Sequence, residues 1–274
     1  ILAPAVPEAI FTLYDPTEAP GEAVLDAIDK ASACLVGCGL GTAPYAAKLV
    51  DAVLENAHGT VVLDADALNI LAKTPEKLLV PQAPVIITPH PGEMCRLNGR
   101  TMAELRADRL QTARVFAQTY RVITVLKGAG TIIAAPSGET RVNTTGNPGM
   151  AKGGSGDVLS GMVAALLACG LPAYQAAACA VYLHGAAADR ADAKYCDLYH
   201  FISLLLPLAF SQPARASKRM TPSSSRVLVM SSSVPMGMFS VVAEMVTRAV
   251  PFEGMLWFIV RILAPVSAKI ASRE

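Results

Sequence analysis

Residues 143–161 read NTTGNPGMAKGGSGDVLSG. Gly146, Asn147, Pro148 and Gly149 forbid regular structure in the first half, which predicts a loop. Val158, Leu159, Met162, Val163, Leu166 and Leu167 recur at helical spacing, which predicts a helix over about 155–169. Gly153, Gly154 and Gly156 stand at the junction. A glycine-rich helix start presents unpaired backbone N–H groups and the positive end of the helix dipole, an anion site for which phosphate is the usual guest. No Gly-Lys-Ser/Thr follows, so this is not a Walker A loop. A carboxylate at Asp157 should repel phosphate. The conflict resolves if Asp157 faces a hydroxyl beside the phosphate and accepts its proton. A plain glycine turn with Asp157 as an ordinary capping residue is the competing reading.

Working outward, the chain alternates apolar runs with amphipathic ones. Residues 1–20 read as loop with a short strand. Residues 31–37 (ASACLVG) form a buried strand that ends in GCGLG, followed by a helix over 44–55. Residues 60–63 (TVVL) are the next strand, closed by Asp64 and Asp66 and followed by a short helix over 67–73. Residues 84–88 (PVIIT) are a third strand, running into His90, Pro91, Gly92 and Glu93. One helix is expected over 101–119, with Met102, Leu105, Leu110, Ala113 and Phe116 on its apolar side. Residues 122–126 (VITVL) are a fourth strand, ending at Lys127. Runs 131–135 and 140–143 flank Ser137-Gly138 as a hairpin. Ala-rich helices over 155–169 and 172–192 complete the pattern. Strand–helix alternation implies an α/β fold with a mostly parallel sheet covered on both faces. Ligands of such sheets sit beyond the carboxyl ends of the strands. All five polar clusters fall there: GCGLG, DADALN, TPHPGE, KGAGT and GNPGMAKGGSGD.

The 53% hydrophobic content is ample for a core, and a net charge of +1 over 274 residues does not suggest a nucleic-acid partner. Residues 1–192 carry a net −4 and residues 193–274 a net +5. The six cysteines lack zinc spacing and read as buried thiols of a reducing compartment. No signal peptide is evident at Ile1. His184 reads as core, and Met150 and Met162 as packing. Beyond Ala193, residues 201–210 are apolar but too short to span a bilayer, and residues 211–233 read as a Ser/Pro/Arg-rich linker. Residues 249–268 are apolar around Glu253 and Arg261. A membrane-surface helix and a shifted reading frame are the two readings of that end.

With LVGCGLG, VVLDADALNILA, VIITPHPGEMCRL, VLKGAGTIIA and NTTGNPGMAKGGSGDVLSG in hand, the chain resembles the ADP-dependent NAD(P)H-hydrate dehydratases, over roughly residues 30–192 and in the family's order. The resemblance implies a ribokinase-like three-layer α/β/α fold. The family carries a further strand–helix–strand region before the counterpart of Ile1, so the fold is expected to be N-terminally incomplete. The expected division is a domain over 1–193 and a C-terminal tail of unassigned structure over 194–274.

The resemblance implies a cytoplasmic enzyme that uses ADP, in preference to ATP, to dehydrate hydrated NADH and NADPH (NADHX and NADPHX). Asp157 would be the general base. Gly39, Gly41, His90 and Asp157 would bind the hydrate. Lys127, Gly128, Ala129, Gly130, Thr131, Gly154, Ser155 and Gly156 would hold the nucleotide phosphates. Mg2+ would be bound through water by Asp64 and Asp66, with Asn69 beside them. A lone His such as His90 is more often structural, and Asp66 reads equally as a helix N-cap. The tail is not expected to contact a membrane, and a homo-oligomer is admitted. A small-alcohol kinase of the same fold (thiazole or pyrimidine kinase) and a non-catalytic nucleotide-binding remnant are the alternatives.

Overall fold

The computed structural model describes residues 10–15, 18–195, 227–233 and 258–263. The four apolar runs form the middle of a sheet. β2 (Ala33–Val36), β3 (Thr60–Leu63), β4 (Val85–Ile87) and β5 (Ile123–Leu126) lie side by side and parallel. They are apolar nearly throughout because both faces are covered. Alternation along each strand still decides which core a side chain joins. Val36, Leu63, Ile87 and Leu126 enter one core, and Leu35, Val62, Ile86 and Val125 enter the other.

The first core is closed by α1 (Glu22–Asp29), α2 (Pro44–Asn56), α3 (Asp66–Leu71), α4 (Pro91–Asn98), α5 (Met102–Ala107) and α6 (Arg109–Tyr120). The second is closed by α7 (Ser155–Ala168) and α8 (Ala173–Tyr195). The expected three-layer α/β/α architecture is therefore present. The five cysteines among the described residues are free thiols, and no helix among those residues is long and apolar enough to cross a membrane. Met162 packs in the second core, as expected.

Beyond β5 the expected hairpin, β6 (Ile132–Ala134) and β7 (Thr140–Val142), extends the sheet antiparallel. On the other side lie β1 (Ile10–Tyr14), β8 (Val227–Ser233) and β9 (Phe258–Leu263), giving the order β1-β8-β9-β2-β3-β4-β5-β6-β7. β9 runs antiparallel to β2 and parallel to β8. Two expectations for the tail are corrected here. Val227–Ser233 falls within the stretch read as linker from its Ser and Pro content, yet its VLVM run has the residue types that favour strand. Phe258–Leu263 is strand where a surface helix was one reading. The apolar run 201–210 lies outside the described residues.

The single helix expected over 101–119 is two. Asp108 is extended (φ −149°) and its carboxylate accepts the Gln111 N–H at 3.0 Å, so it starts a new helix mid-pattern. α1 and α4 were not expected. α4 has Pro91 in its first turn and a reciprocal capping box between His90 and Glu93.

The ends of β2 and β3 are jammed together. Gly37 has φ 125°, and a Cβ there would collide with the Asp64 carbonyl and stand 2.8 Å from the Ala67 Cβ. Ala65, between Asp64 and Asp66, holds φ 49° and ψ −114°, a strained conformation for a residue with a side chain. Gly37→Ala should therefore cost about 2 kcal/mol or more of stability. Gly153→Ala, where an added Cβ meets nothing within 4 Å, should be tolerated. Urea unfolding of both variants checks this; equal midpoints would contradict the packing described.

Candidate active site

The strand ends bring four of the five clusters into one mouth, and the start of α7 brings the fifth. At its floor lies Asp64, which is 1% exposed. Its Oδ1 accepts the Lys127 ammonium at 2.8 Å and the Ala65 N–H at 2.8 Å, and its Oδ2 accepts the Ser160 hydroxyl from α7. Burial works against the Lys127 charge, but Asp64 and Glu93 outweigh it and the ammonium is held above its usual range. Glu93 Oε2 stands 3.9 Å from the same Nζ.

α7 starts over this pair. Nothing lies within 4 Å of a Cβ built on Gly153 or Gly154, whereas one on Gly156 would stand 3.1 Å from Lys127 Nζ. The helix start thus opens outward at its first glycines and touches the ammonium at its third. Asp157 follows in the first turn. Burial raises its carboxyl above the usual aspartate range and Asp64 adds to this; a hydrogen bond from Cys38 and the Lys127 charge pull it back. Burial, then Asp64 and Asp157, push the Cys38 thiol well up, so it stays a neutral S–H donor. His184 Nε2 stands 3.5 Å from Ser155 Oγ. Burial, then Lys127, lower this imidazole to about 4, so it adds no charge to the mouth. The approach loop is fastened to α8: Thr145 donates to the Tyr182 carbonyl at 3.0 Å and the Gly146 N–H to Asp189 at 2.8 Å.

His90 caps α4. Its Nδ1 accepts the Gly92 and Glu93 N–H groups at 2.9 and 3.3 Å, while Glu93 Oε2 accepts the His90 N–H at 2.7 Å. The structural reading of His90 is present as this cap, and the ring remains half exposed. Burial, then Lys127 and Arg96, lower its pKa, and burial raises Glu93 to about 7 against the pull of Lys127 and the His90 N–H.

Asp66 is engaged at the GCGLG loop, though its charge still reaches Asp157. It is the first residue of α3 rather than its N-cap, and its Oδ2 accepts the Gly41 N–H at 2.6 Å. Asn69 donates to Asp66 at 3.5 Å and accepts from Arg96 Nε at 2.9 Å, so this chain shapes the GCGLG loop containing Gly39 and Gly41. Among the described residues, the donors that converge are Cys38, Asp64 and Asp157, whose ligand atoms lie within 4.8 Å of one another. Two carboxylates suit a hard ion such as Mg2+, which keeps waters and takes few protein oxygens; the thiol does not. Cys38, Ser160 and Glu93 escaped sequence reasoning. Only Glu93 left a signal, as the third residue of a proline-started helix.

Comparisons with known proteins identify the family of the chain. The profile of a family described as NAD(P)H-hydrate dehydratase (Carb_kinase) matches residues 3–205. The chain is 38% identical over 210 residues to the ADP-dependent (S)-NAD(P)H-hydrate dehydratase of Bacillus subtilis, covering 76% of this chain and 73% of that protein. It is 44% identical over 177 residues to the Neisseria meningitidis protein of the same description, covering 61% and 60%. Identity to the bifunctional NAD(P)H-hydrate repair enzyme of Moorella thermoacetica is 43% over 189 residues, covering 66% and 36%. The chain thus spans about a third to three fifths of the length of the last two relatives. The crystal structure of the Bacillus subtilis ADP/ATP-dependent NAD(P)H-hydrate dehydratase, co-crystallised with ATP/Mg2+, superposes with a TM-score of 0.57 at 38% identity, covering 65% of this chain and 60% of that one. A ribokinase-like superfamily protein from Enterococcus faecalis superposes with a TM-score of 0.58 at 29% identity, covering 64% and 61%. With a matched profile over most of its length and a shared three-layer sheet, the chain belongs to the NAD(P)H-hydrate dehydratase family, within the ribokinase-like fold.

Proposed function

We propose that this chain catalyses the nucleotide-dependent dehydration of hydrated NADH and NADPH, with ADP converted to AMP and phosphate. One observation carries the reading: the Gly154–Gly156 helix start, the Lys127 ammonium and the Asp157 carboxylate meet at one point. That is an anion site with a proton acceptor beside it. Asp157 takes the proton of the hydrate hydroxyl, whose oxygen forms a bond to the terminal phosphorus of ADP as the bridging P–O bond breaks and AMP leaves. The Gly154 to Gly156 amides and Lys127 stabilise charge on the transferring group. The ring nitrogen then pushes out phosphate, and loss of a proton from the neighbouring ring carbon restores the dihydropyridine.

Gly39, Gly41 and His90 line the hydrate end, and Lys127 to Thr131 the nucleotide end. Mg2+ supplies charge neutralisation to phosphate oxygens when bound. We assign it to Asp64 rather than Asp66, which faces Gly41. A reducing, cytoplasmic setting suits the free thiols. A small-alcohol kinase shares the base and anion site, and product analysis separates the two: a kinase leaves a stable phosphorylated alcohol, a dehydratase releases phosphate.

Asp157→Asn keeps shape but cannot accept the proton, so turnover of hydrated NADH should fall by roughly 10²–10⁴-fold with ADP affinity unchanged or improved. The acid limb of the wild-type kcat/KM profile should lie above the usual aspartate range, since the base is active only when ionised and its pKa is raised. Full activity in this variant would remove Asp157 from the mechanism.

Lys127→Ala should weaken ADP and His90→Ala the hydrate, by separate titrations. If both variants weaken only the same ligand, the two ends of the pocket are wrongly assigned.

We also assign the site to a unit over residues 1–193, because the residues that build it lie between Gly37 and Asp189. A chain ending at Lys194 should keep ADP binding. It should melt at lower temperature, because β2 loses β9 and β1 loses β8. Loss of ADP binding in a chain that still folds would place part of the site in the tail.

A further inference from the structure

Arg109 occupies the first position of α6, where the helix dipole is positive and a cation is electrostatically out of place. Its guanidinium is used elsewhere. Nη1 donates to the Ala129 carbonyl at 2.7 Å and Nη2 to the Lys127 carbonyl at 3.4 Å, clamping the KGAGT loop with one planar fork. The carbonyl between them, on Gly128, accepts the Thr131 hydroxyl at 3.0 Å. Three consecutive carbonyls of the loop are thereby held. In a trans peptide the N–H points opposite to the carbonyl of the same unit. Holding the Lys127 and Ala129 oxygens on the Arg109 side therefore turns the Gly128 and Gly130 N–H groups away from Arg109, while Thr131 holds the Gly128 oxygen within the loop. Among the described residues these two amides have no backbone acceptor. Backbone N–H groups turned to one side of a glycine-rich loop offer an anion-binding concavity.

Gly128 is the residue that lets the fork approach. Its φ is 143°, and a Cβ there would stand 2.7 Å from Arg109 Nη2. Arg109 Nε is buried with no hydrogen-bond partner, a cost accepted for placing the other two nitrogens.

We propose that Arg109 is a positioning residue for nucleotide phosphate, fixing the 127–131 loop from behind so that its amides face the anion. This rests on the reading of KGAGT as the phosphate segment. The fork, rather than charge alone, is what the loop needs. Calorimetric titration of the full chain with ADP tests it on Arg109→Ala, Arg109→Lys and Lys127→Ala, alongside titration with hydrated NADH and thermal melts. Arg109→Ala should weaken ADP by about tenfold or more and leave hydrate affinity within about twofold. Arg109→Lys should recover the melting temperature but less than half of the lost binding free energy, since an ammonium cannot hold both carbonyls. ADP affinity at the wild-type level in either variant overturns the proposal, as does equal weakening of hydrate and ADP. If Lys127→Ala binds ADP normally, the nucleotide assignment fails and the brace with it. Weakening in Lys127→Ala beside normal Arg109 variants sinks the brace alone.

Discussion

The pairing of Lys127 with Asp64 is the constraint on which the site depends. A carboxylate 1% exposed must be matched by donors, and Asp64 has three kinds: an ammonium from the end of β5, its own next amide, and a hydroxyl from α7. These come from both sides of β4 and from the helical layer on the second core. The pair therefore sets where α7 begins relative to the strand ends. Removing one partner would strand a buried charge, typically at about 3–5 kcal/mol. Residues that look independent in sequence are thus one electrostatic unit. Gly156 sits against the ammonium, and Asp157 feels both members of the pair.

Around that pair the other titratable groups are kept largely neutral. Burial holds Cys38 as a thiol and His184 as a neutral imidazole, and lowers His90. Glu93, raised to about 7, is only partly ionised near neutral pH. Around Asp157 the mouth therefore presents the Lys127 ammonium, the Asp64 and Asp66 carboxylates and the glycine-rich start of α7. On the proposed reading, a phosphate entering it meets Lys127 and the start of α7. The raised Asp157 carboxyl is a better proton acceptor than an ordinary aspartate, because burial and Asp64 both oppose its charge.

Much of the frame was legible in the sequence for reasons of local physics. Runs such as TVVL and VITVL are apolar on both faces, which only a covered parallel strand requires. The glycines before SGDVLSG mark a helix start whatever surrounds it. The failures were local too. The break at Asp108 falls inside an apolar pattern that continues across it, so periodicity alone runs the two helices together. Helix α4 begins with a His in the capping position, which the usual Ser, Thr, Asp or Asn signal passes over. The strand Val227–Ser233 pairs with β1, more than 200 residues away in the chain, and nothing near it announces that pairing.

By itself the sequence determined the layer order, the end of the sheet at which the polar clusters gather, and the identity of Asp157, Lys127 and His90 as residues to watch. The layer order and the sheet end follow from period and residue type and Asp157 from the glycines before it, which need no partner to be read, whereas Lys127 and His90 drew notice through the family resemblance. Only the tertiary structure decided the pairings. It turned Asp66 to Gly41 and left Asp64 to Lys127, placed Cys38 beside Asp157, and set Arg109 behind the KGAGT loop. Asp64 and Asp66 are two residues apart and chemically identical. The strained Ala65 between them and the close contact of Gly37 with the Asp64 carbonyl set their different surroundings, and both arise from how β2 and β3 pack.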